Sequence, residues 1–171
     1  MKLLETKRCI LRNFHEDDLE DFYEYAKVEG VGEMAGWTFH KSIDESKRIL
    51  DMFINEKHTY AIVLKETGKV IGSISRKQPP KHLENLNCTD IGYTIAKGHW
   101  GKGIMPEVFN AFIKHIFANT EIEMITVEHF VTNNQSRRVI EKCGGVFFCD
   151  DEYYSESMNK KFKTKRYIIK K

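Results

Sequence analysis

Residues 93–107 read Tyr-Thr-Ile-Ala-Lys-Gly-His-Trp-Gly-Lys-Gly-Ile-Met-Pro-Glu and set three glycines between an apolar β-type run and a helical pattern. Glycine lets a chain turn tightly and lets backbone N–H groups approach a ligand with no Cβ in the way. The helix start adds unpaired N–H donors and the positive end of a dipole. A phosphate or pyrophosphate is the ligand such a turn suits best. The same glycines also fit ordinary strand-to-helix turn chemistry. Two better-known phosphate motifs are excluded. Gly98 and Gly103 have P-loop spacing, but Ile104-Met105 stand where Lys and Ser or Thr must follow. A dinucleotide fingerprint needs a third glycine where Pro106 stands.

The rest of the chain alternates strand and helix signals around this turn. Arg8–Arg12 predicts a first strand. A helix follows with Leu19, Phe22, Tyr23 and Ala26 on one face and an acidic start at Glu16-Asp17-Asp18. Ser42-Ile43-Asp44-Glu45 is a capping-box pattern and opens a second helix with Ser46, Ile49, Leu50 and Phe53 inward. The Gly- and aromatic-rich stretch between them, residues 29–41 with Trp37 and Phe39, suits a loop over a pocket or a plain connector. Tyr60–Leu64 and Val70–Ser75 flank a short loop containing Gly68 and read as a hairpin. A polar loop over 76–89 leads to a strand at Asp90–Ile95. Beyond the glycine turn, Val108, Ala111, Phe112 and Ile116 mark a helix with Pro106 in its first turn. Ile122–Val131 reads as a strand. Ser136, Val139, Ile140 and Cys143 mark a helix stopped by Gly144-Gly145. Val146–Cys149 and Lys165–Ile169 close the chain as strands. The order β-α-α-β-β-β-α-β-α-β-β predicts an α/β (mixed α+β) chain, one domain over 1–171, with helices on both faces of a mixed sheet.

Charge narrows the partners. With 27 basic and 25 acidic side chains the formal charge is +2, which argues against nucleic acid or an acidic membrane as the main partner. No stretch approaches the roughly 20 apolar residues of a membrane span. The first residues carry charges throughout, without an apolar run of signal-peptide length, so the expected location is cytoplasmic. Cys9, Cys88, Cys143 and Cys149 form no C-x-x-C pair and read as free thiols, with no metal site.

Three blocks then point one way. Ile91-Gly92-Tyr93 with His99-Trp100-Gly101-Lys102-Gly103-Ile104-Met105-Pro106-Glu107 resembles the coenzyme A motif of the GNAT acetyltransferases, in their RimJ/RimL-like branch. Asn133-Asn134-Gln135-Ser136 through Glu141-Lys142-Cys143-Gly144 is similar to that branch's Asn-x-x-Ser…Glu-Lys-x-Gly segment. Leu4-Glu5-Thr6-Lys7-Arg8-Cys9-Ile10-Leu11-Arg12 is similar to its opening strand. The blocks stand in family order and span nearly the whole chain. The resemblance implies a GNAT-like fold, with a mostly antiparallel mixed sheet of six to seven strands. It also implies an acetyl-CoA-dependent N-acetyltransferase acting on a primary amine, either a protein N-terminus or a small molecule, as a monomer or homodimer. A non-catalytic acyl-CoA-binding domain is the alternative.

By the same resemblance, Tyr93, Thr94 and Ile95 offer backbone groups to the pantetheine arm, with an N–H near Ile95 for the oxyanion. The backbone of His99, Trp100, Gly101, Lys102, Gly103, Ile104 and Met105 takes the pyrophosphate, and Asn133 and Ser136 form a second coenzyme contact. Asn133 equally suits a helix N-cap. Acyl transfer to an amine needs a base, because a lysine-like amine is mostly protonated at neutral pH. Glu128, five residues before Asn133, matches the family's catalytic glutamate in offset. Strand alternation sets His129 on the opposite face. Ser136 is the expected hydrogen-bond donor to the departing sulfur. Three positions depart from the family pattern: Gly98 replaces Gln or Arg, Ile140 replaces a tyrosine acid, and Gly145 replaces an aromatic, which predicts looser packing there. Trp37, Phe39, Tyr60, Tyr153 and Tyr154 are candidates for the acceptor pocket or for core packing.

Overall fold

The computed structural model describes residues 4–171; Met1, Lys2 and Leu3, with which the charged N-terminal run begins, lie outside the described residues. The strands are β1 (Leu4–Glu5), β2 (Cys9–Asn13), β3 (Thr59–Leu64), β4 (Val70–Lys77), β5 (Cys88–Ile95), β6 (Met124–Phe130), β7 (Val146–Ser155) and β8 (Lys160–Lys170). The helices are α1 (Leu19–Ala26), α2 (Ile43–Glu56), α3 (Ile104–Asn119) and α4 (Asn134–Lys142). Among the described residues, all eight strands form one sheet in the order β1-β2-β3-β4-β5-β6-β8-β7. Every pairing is antiparallel except β5 with β6.

The expected count of six to seven strands becomes eight because Leu4 and Glu5 pair with Leu11 and Ile10. Two residues carry too little pattern for a sequence reading to separate them from a loop. The closing strands are also longer than expected. The acidic stretch Asp150–Glu152 and the lysines beyond it pair across β7 and β8, as in Lys165–Asp150 at 2.8 Å and Lys161–Glu152 at 3.5 Å. The basic run at 160–171 is therefore no strand edge: β8 lies between β6 and β7.

Side chains on the two faces of the sheet meet two helix layers. Phe109 and Phe112 of α3 and Ile140 of α4 pack with Ile91, Ile125 and Val127 on one face. Phe22 of α1 and Leu50 of α2 pack with Phe14, Ala61 and Val63 on the other. α2 starts where Ser42 Oγ accepts from the Glu45 N–H at 3.2 Å, while the Glu45 carboxylate takes the Lys41 N–H at 2.8 Å. The cap thus covers one helix-start donor, and the reciprocal bond falls one residue outward, on the Lys41 N–H ahead of the N-cap.

Candidate active site

The parallel pair β5–β6 runs only from Cys88/Met124 to Ile91/Val127. Beyond that point β5 stays with β4 and β6 stays with β8, so the sheet splits between Gly92–Ile95 and Glu128–Phe130. The direction of the freed β5 backbone follows from its fixed bonds. Gly92 O accepts from Ser75 Oγ at 3.3 Å, and Ala96 N–H donates to Ile71 O at 2.8 Å, so both face β4. Backbone groups alternate sides along a strand, which aims those of Tyr93 and Ile95 into the split. The Ile95 carbonyl is taken up by Trp100 Nε1 at 2.8 Å. The Ile95 N–H and the Tyr93 N–H and C=O remain toward the opening.

The glycine turn caps one end of this split. A short 3-10 turn at Lys97–His99 leads to Gly101 and Gly103, both at φ 72°. That left-handed region is open to glycine and strained for other residues. Alternating left-handed glycines before a helix gather successive N–H groups into a concave anion site. Gly103 is the N-cap of α3 and carries no side chain to cap it, so the first N–H groups of α3 stay unpaired. Burial and the neighbouring Lys102 charge hold the His99 imidazole below its ordinary pKa.

At α4, Asn133 is the N-cap: its Oδ1 accepts from the Ser136 N–H at 3.0 Å. Its Nδ2 donates to the Met34 carbonyl at 3.2 Å, and Ser155 Oγ donates to the Gly36 carbonyl at 2.8 Å. The loop between α1 and α2 is thus tied to α4 and β7, across the split. Tyr93 reaches from β5 over Phe109 and sets its hydroxyl 2.9 Å from Ser136 Oγ. Burial holds that phenol above its ordinary pKa, against the hydrogen bond from Ser136.

Glu128 stands on the opposite lip, in a buried charge cluster. Arg166, whose side chain is 4% exposed, meets Glu128 Oε2 at 3.0 Å, Asp90 Oδ1 at 2.9 Å and Asp151 Oδ2 at 2.8 Å. Thr126 Oγ1 donates to Asp90 at 2.6 Å. Glu128 Oε2 is buried against Arg166 with no hydrogen bond of its own, so the exposed fifth of the side chain lies away from it. Burial pushes the Glu128 carboxyl above the usual range, with Arg166 pulling it back. His129 points to the other face, where Nδ1 meets the Phe130 carbonyl at 2.8 Å and the ring packs on Tyr167. Its pKa is lowered by burial.

The freed end of β5, the glycine turn, Asn133, Ser136, Asp90 and Glu128 line one cleft of about 1860 Å³, running from the glycine turn past the split to Glu128. A family model for the Acetyltransferase (GNAT) domain matches residues 8–146. This chain belongs to the GNAT acetyltransferase family. It is 27% identical over 148 residues to the Bacillus subtilis protein named Uncharacterized N-acetyltransferase YoaA, covering 83% of this chain and 81% of that one. Its fold is similar to a GNAT-family acetyltransferase from Bacillus anthracis, with TM-score 0.85, 17% identity and 98% of each chain covered. It is also similar to MccE, a microcin self-immunity acetyltransferase solved with acetyl-CoA and AMP, with TM-score 0.78, 16% identity, and 96% and 93% covered.

Within this GNAT cleft lie Tyr93, Thr94, Ile95, His99, Trp100, Gly101, Gly103, Ile104, Met105, Glu128, Asn133 and Ser136. Lys102 is the exception. It does not line the cleft, and its carbonyl is held by Arg8 Nη1 at 2.9 Å. Ile140 is fully buried, and a Cβ on Gly145 would come within 2.4 Å of Ile140 Cγ2. The expected loose packing at Gly145 is absent because Ile140 fills that space. Trp37 and Tyr153 line the cleft, whereas Tyr60 packs edge-on against Phe112 in the core. Sequence reasoning missed Arg166, Asp90 and the Tyr93 phenol. The one available signal for Arg166 was its place on a strand face with Thr164 and Ile168, amid lysines facing the other way. Among the described residues no group of three or more His, Cys, Asp or Glu is arranged to hold a metal ion.

Proposed function

We propose that this chain acts as a single RimJ/RimL-like domain that transfers the acetyl group of acetyl-CoA to a primary amine, by direct attack with both substrates bound. The observation that carries the reading is the split between β5 and β6, which leaves the Tyr93 N–H and C=O and the Ile95 N–H facing an opening that runs toward a left-handed glycine turn. An extended amide-bearing arm ending in a pyrophosphate matches that sequence of donors and acceptors. Its amides pair with Tyr93 as a further strand would, and its phosphates meet the N–H groups of Gly101–Met105.

Glu128 takes the proton of the acceptor ammonium, directly or through one water, and the freed amine attacks the thioester carbonyl. The Ile95 N–H donates to the oxygen as negative charge builds there. As the C–S bond breaks, the electron pair leaves on sulfur and the new amide nitrogen gives its excess proton to water. The Tyr93 hydroxyl donates a hydrogen bond to the thiolate while the Ser136 hydroxyl donates to the phenol oxygen. A phenol held above its ordinary pKa keeps its own proton and serves as that donor. Asp90, Asp151 and Arg166 hold Glu128 in place and set its proton affinity.

The test is release of free coenzyme A thiol from acetyl-CoA in the presence of a panel of primary amines and N-terminal peptides, with the product mass checked. Thiol release coupled to an acetylated amine is expected. Binding of acetyl-CoA without transfer to any amine would sink the catalytic reading.

A further inference from the structure

Arg8 grips the glycine turn from behind, although it lies 94 residues away in sequence from Lys102. Its Nη1 donates to the Lys102 carbonyl at 2.9 Å. Its Nε and its backbone N–H donate to the two oxygens of Glu107, at 2.7 and 2.8 Å. Glu107 sits in the first turn of α3, so one guanidinium joins the start of β2, the turn and the helix that follows.

The consequence comes from peptide geometry. A trans peptide is planar, with its C=O and the following N–H on opposite sides. With the Lys102 carbonyl drawn toward Arg8, the Gly103 N–H is turned away from Arg8, and Gly103 lines the cleft. Gly101 and Gly103 are both free of the steric limits that would otherwise fix this plane. Left untied, the peptide between Lys102 and Gly103 would sample other orientations, and a bound anion would have to order it at a cost in affinity.

We propose that Arg8 is a positioning residue for the anion-binding turn, holding the Lys102–Gly103 peptide so that the Gly103 N–H meets the pyrophosphate. Arg8 touches no substrate in this arrangement. The proposal rests on the acetyl-CoA reading above, and it assigns a donor-specificity role to a residue that the sequence blocks place only in an opening strand.

The test compares wild type, Arg8→Met and Arg8→Lys by calorimetric titration with two ligands, acetyl-CoA and S-acetylpantetheine. The second carries the thioester arm without a pyrophosphate. Arg8→Met should weaken acetyl-CoA binding roughly tenfold while S-acetylpantetheine stays within about twofold of wild type. Arg8→Lys, which keeps a single donor, should fall between; it carries the test alone if Arg8→Met does not fold. Equal weakening toward both ligands, or unchanged affinity for acetyl-CoA, overturns the proposal. Wild-type protein that binds neither ligand overturns the acetyl-CoA reading and this proposal with it.

Discussion

The Tyr93 hydroxyl lies 2.9 Å from Ser136 Oγ, so a strand residue and a helix residue bring two hydroxyls to one point beside the split. Ile140, where the sequence resemblance implies a tyrosine acid, is sealed in the core. Tyr93→Phe and Ser136→Ala should each lower kcat by one to two orders of magnitude, on the order of 10²-fold at most, with KM for acetyl-CoA nearly unchanged. Steady-state kinetics checks this, and a matching loss in the double variant would mark the two hydroxyls as one unit.

Glu128→Gln should lower kcat/KM about 10²- to 10³-fold at neutral pH. The pH profile gives the sharper readout. Burial raises the Glu128 carboxyl above its ordinary value, and the proposed base role requires the ionised form. Wild-type kcat/KM should therefore fall as pH drops through that raised pKa, at higher pH than a free carboxylate would give. The variant should lose this acid limb.

Arg166→Met leaves Asp90, Glu128 and Asp151 without their shared cation. Removing one side of a buried ion pair costs about 3–5 kcal/mol, and denaturant unfolding should report a loss of that order. In protein that still folds, the acid limb set by Glu128 should move to higher pH, since the charge that favours its ionised form is gone.

How much of this was legible in the sequence depended on the range of the interaction. Residues 93–107 carry local signals, because a left-handed glycine or a helix start is decided within a few residues. The Asn133 cap and the Ser42 cap are equally local, and both are formed. The offset from Asn133 singles out Glu128 only through the family resemblance, whereas strand alternation by itself separates its side chain, on Arg166, from that of His129, on Tyr167. The Glu128–Arg166 contact was not readable, since strand register alone sets those residues opposite each other. Arg8 and Lys102 are similarly remote, and no pattern in either segment announces the other. Ile140 and Gly145 each read as a lone departure; their contact shows that the two are coupled.

That coupling is itself testable. Gly145→Ala places a methyl group against Ile140 and should destabilise by about 1–3 kcal/mol. Ile140→Ala alone should cost about 2–5 kcal/mol through the cavity it leaves. The double variant should cost less than the sum, because the new methyl enters the vacated space. Thermal or urea unfolding of the four proteins checks this as a double-mutant cycle.

The proposed function requires acetyl-CoA binding along the β5–β6 split with the pyrophosphate on the glycine turn. Its most direct test is equilibrium titration of acetyl-CoA into wild type, Gly103→Trp and Gly98→Ala. Gly98 has open space around its Cβ position, so its alanine variant should bind as wild type does. Gly103 sits at φ 72° in the turn, and tryptophan there strains the left-handed backbone and crowds Arg8, whose Nη2 lies 3.8 Å from the Cβ position, so the peptide that Arg8 holds is displaced. Saturable binding is expected of wild type and Gly98→Ala, and its loss is expected in Gly103→Trp. Absence of binding by wild type, or equal binding by Gly103→Trp, would contradict this binding mode.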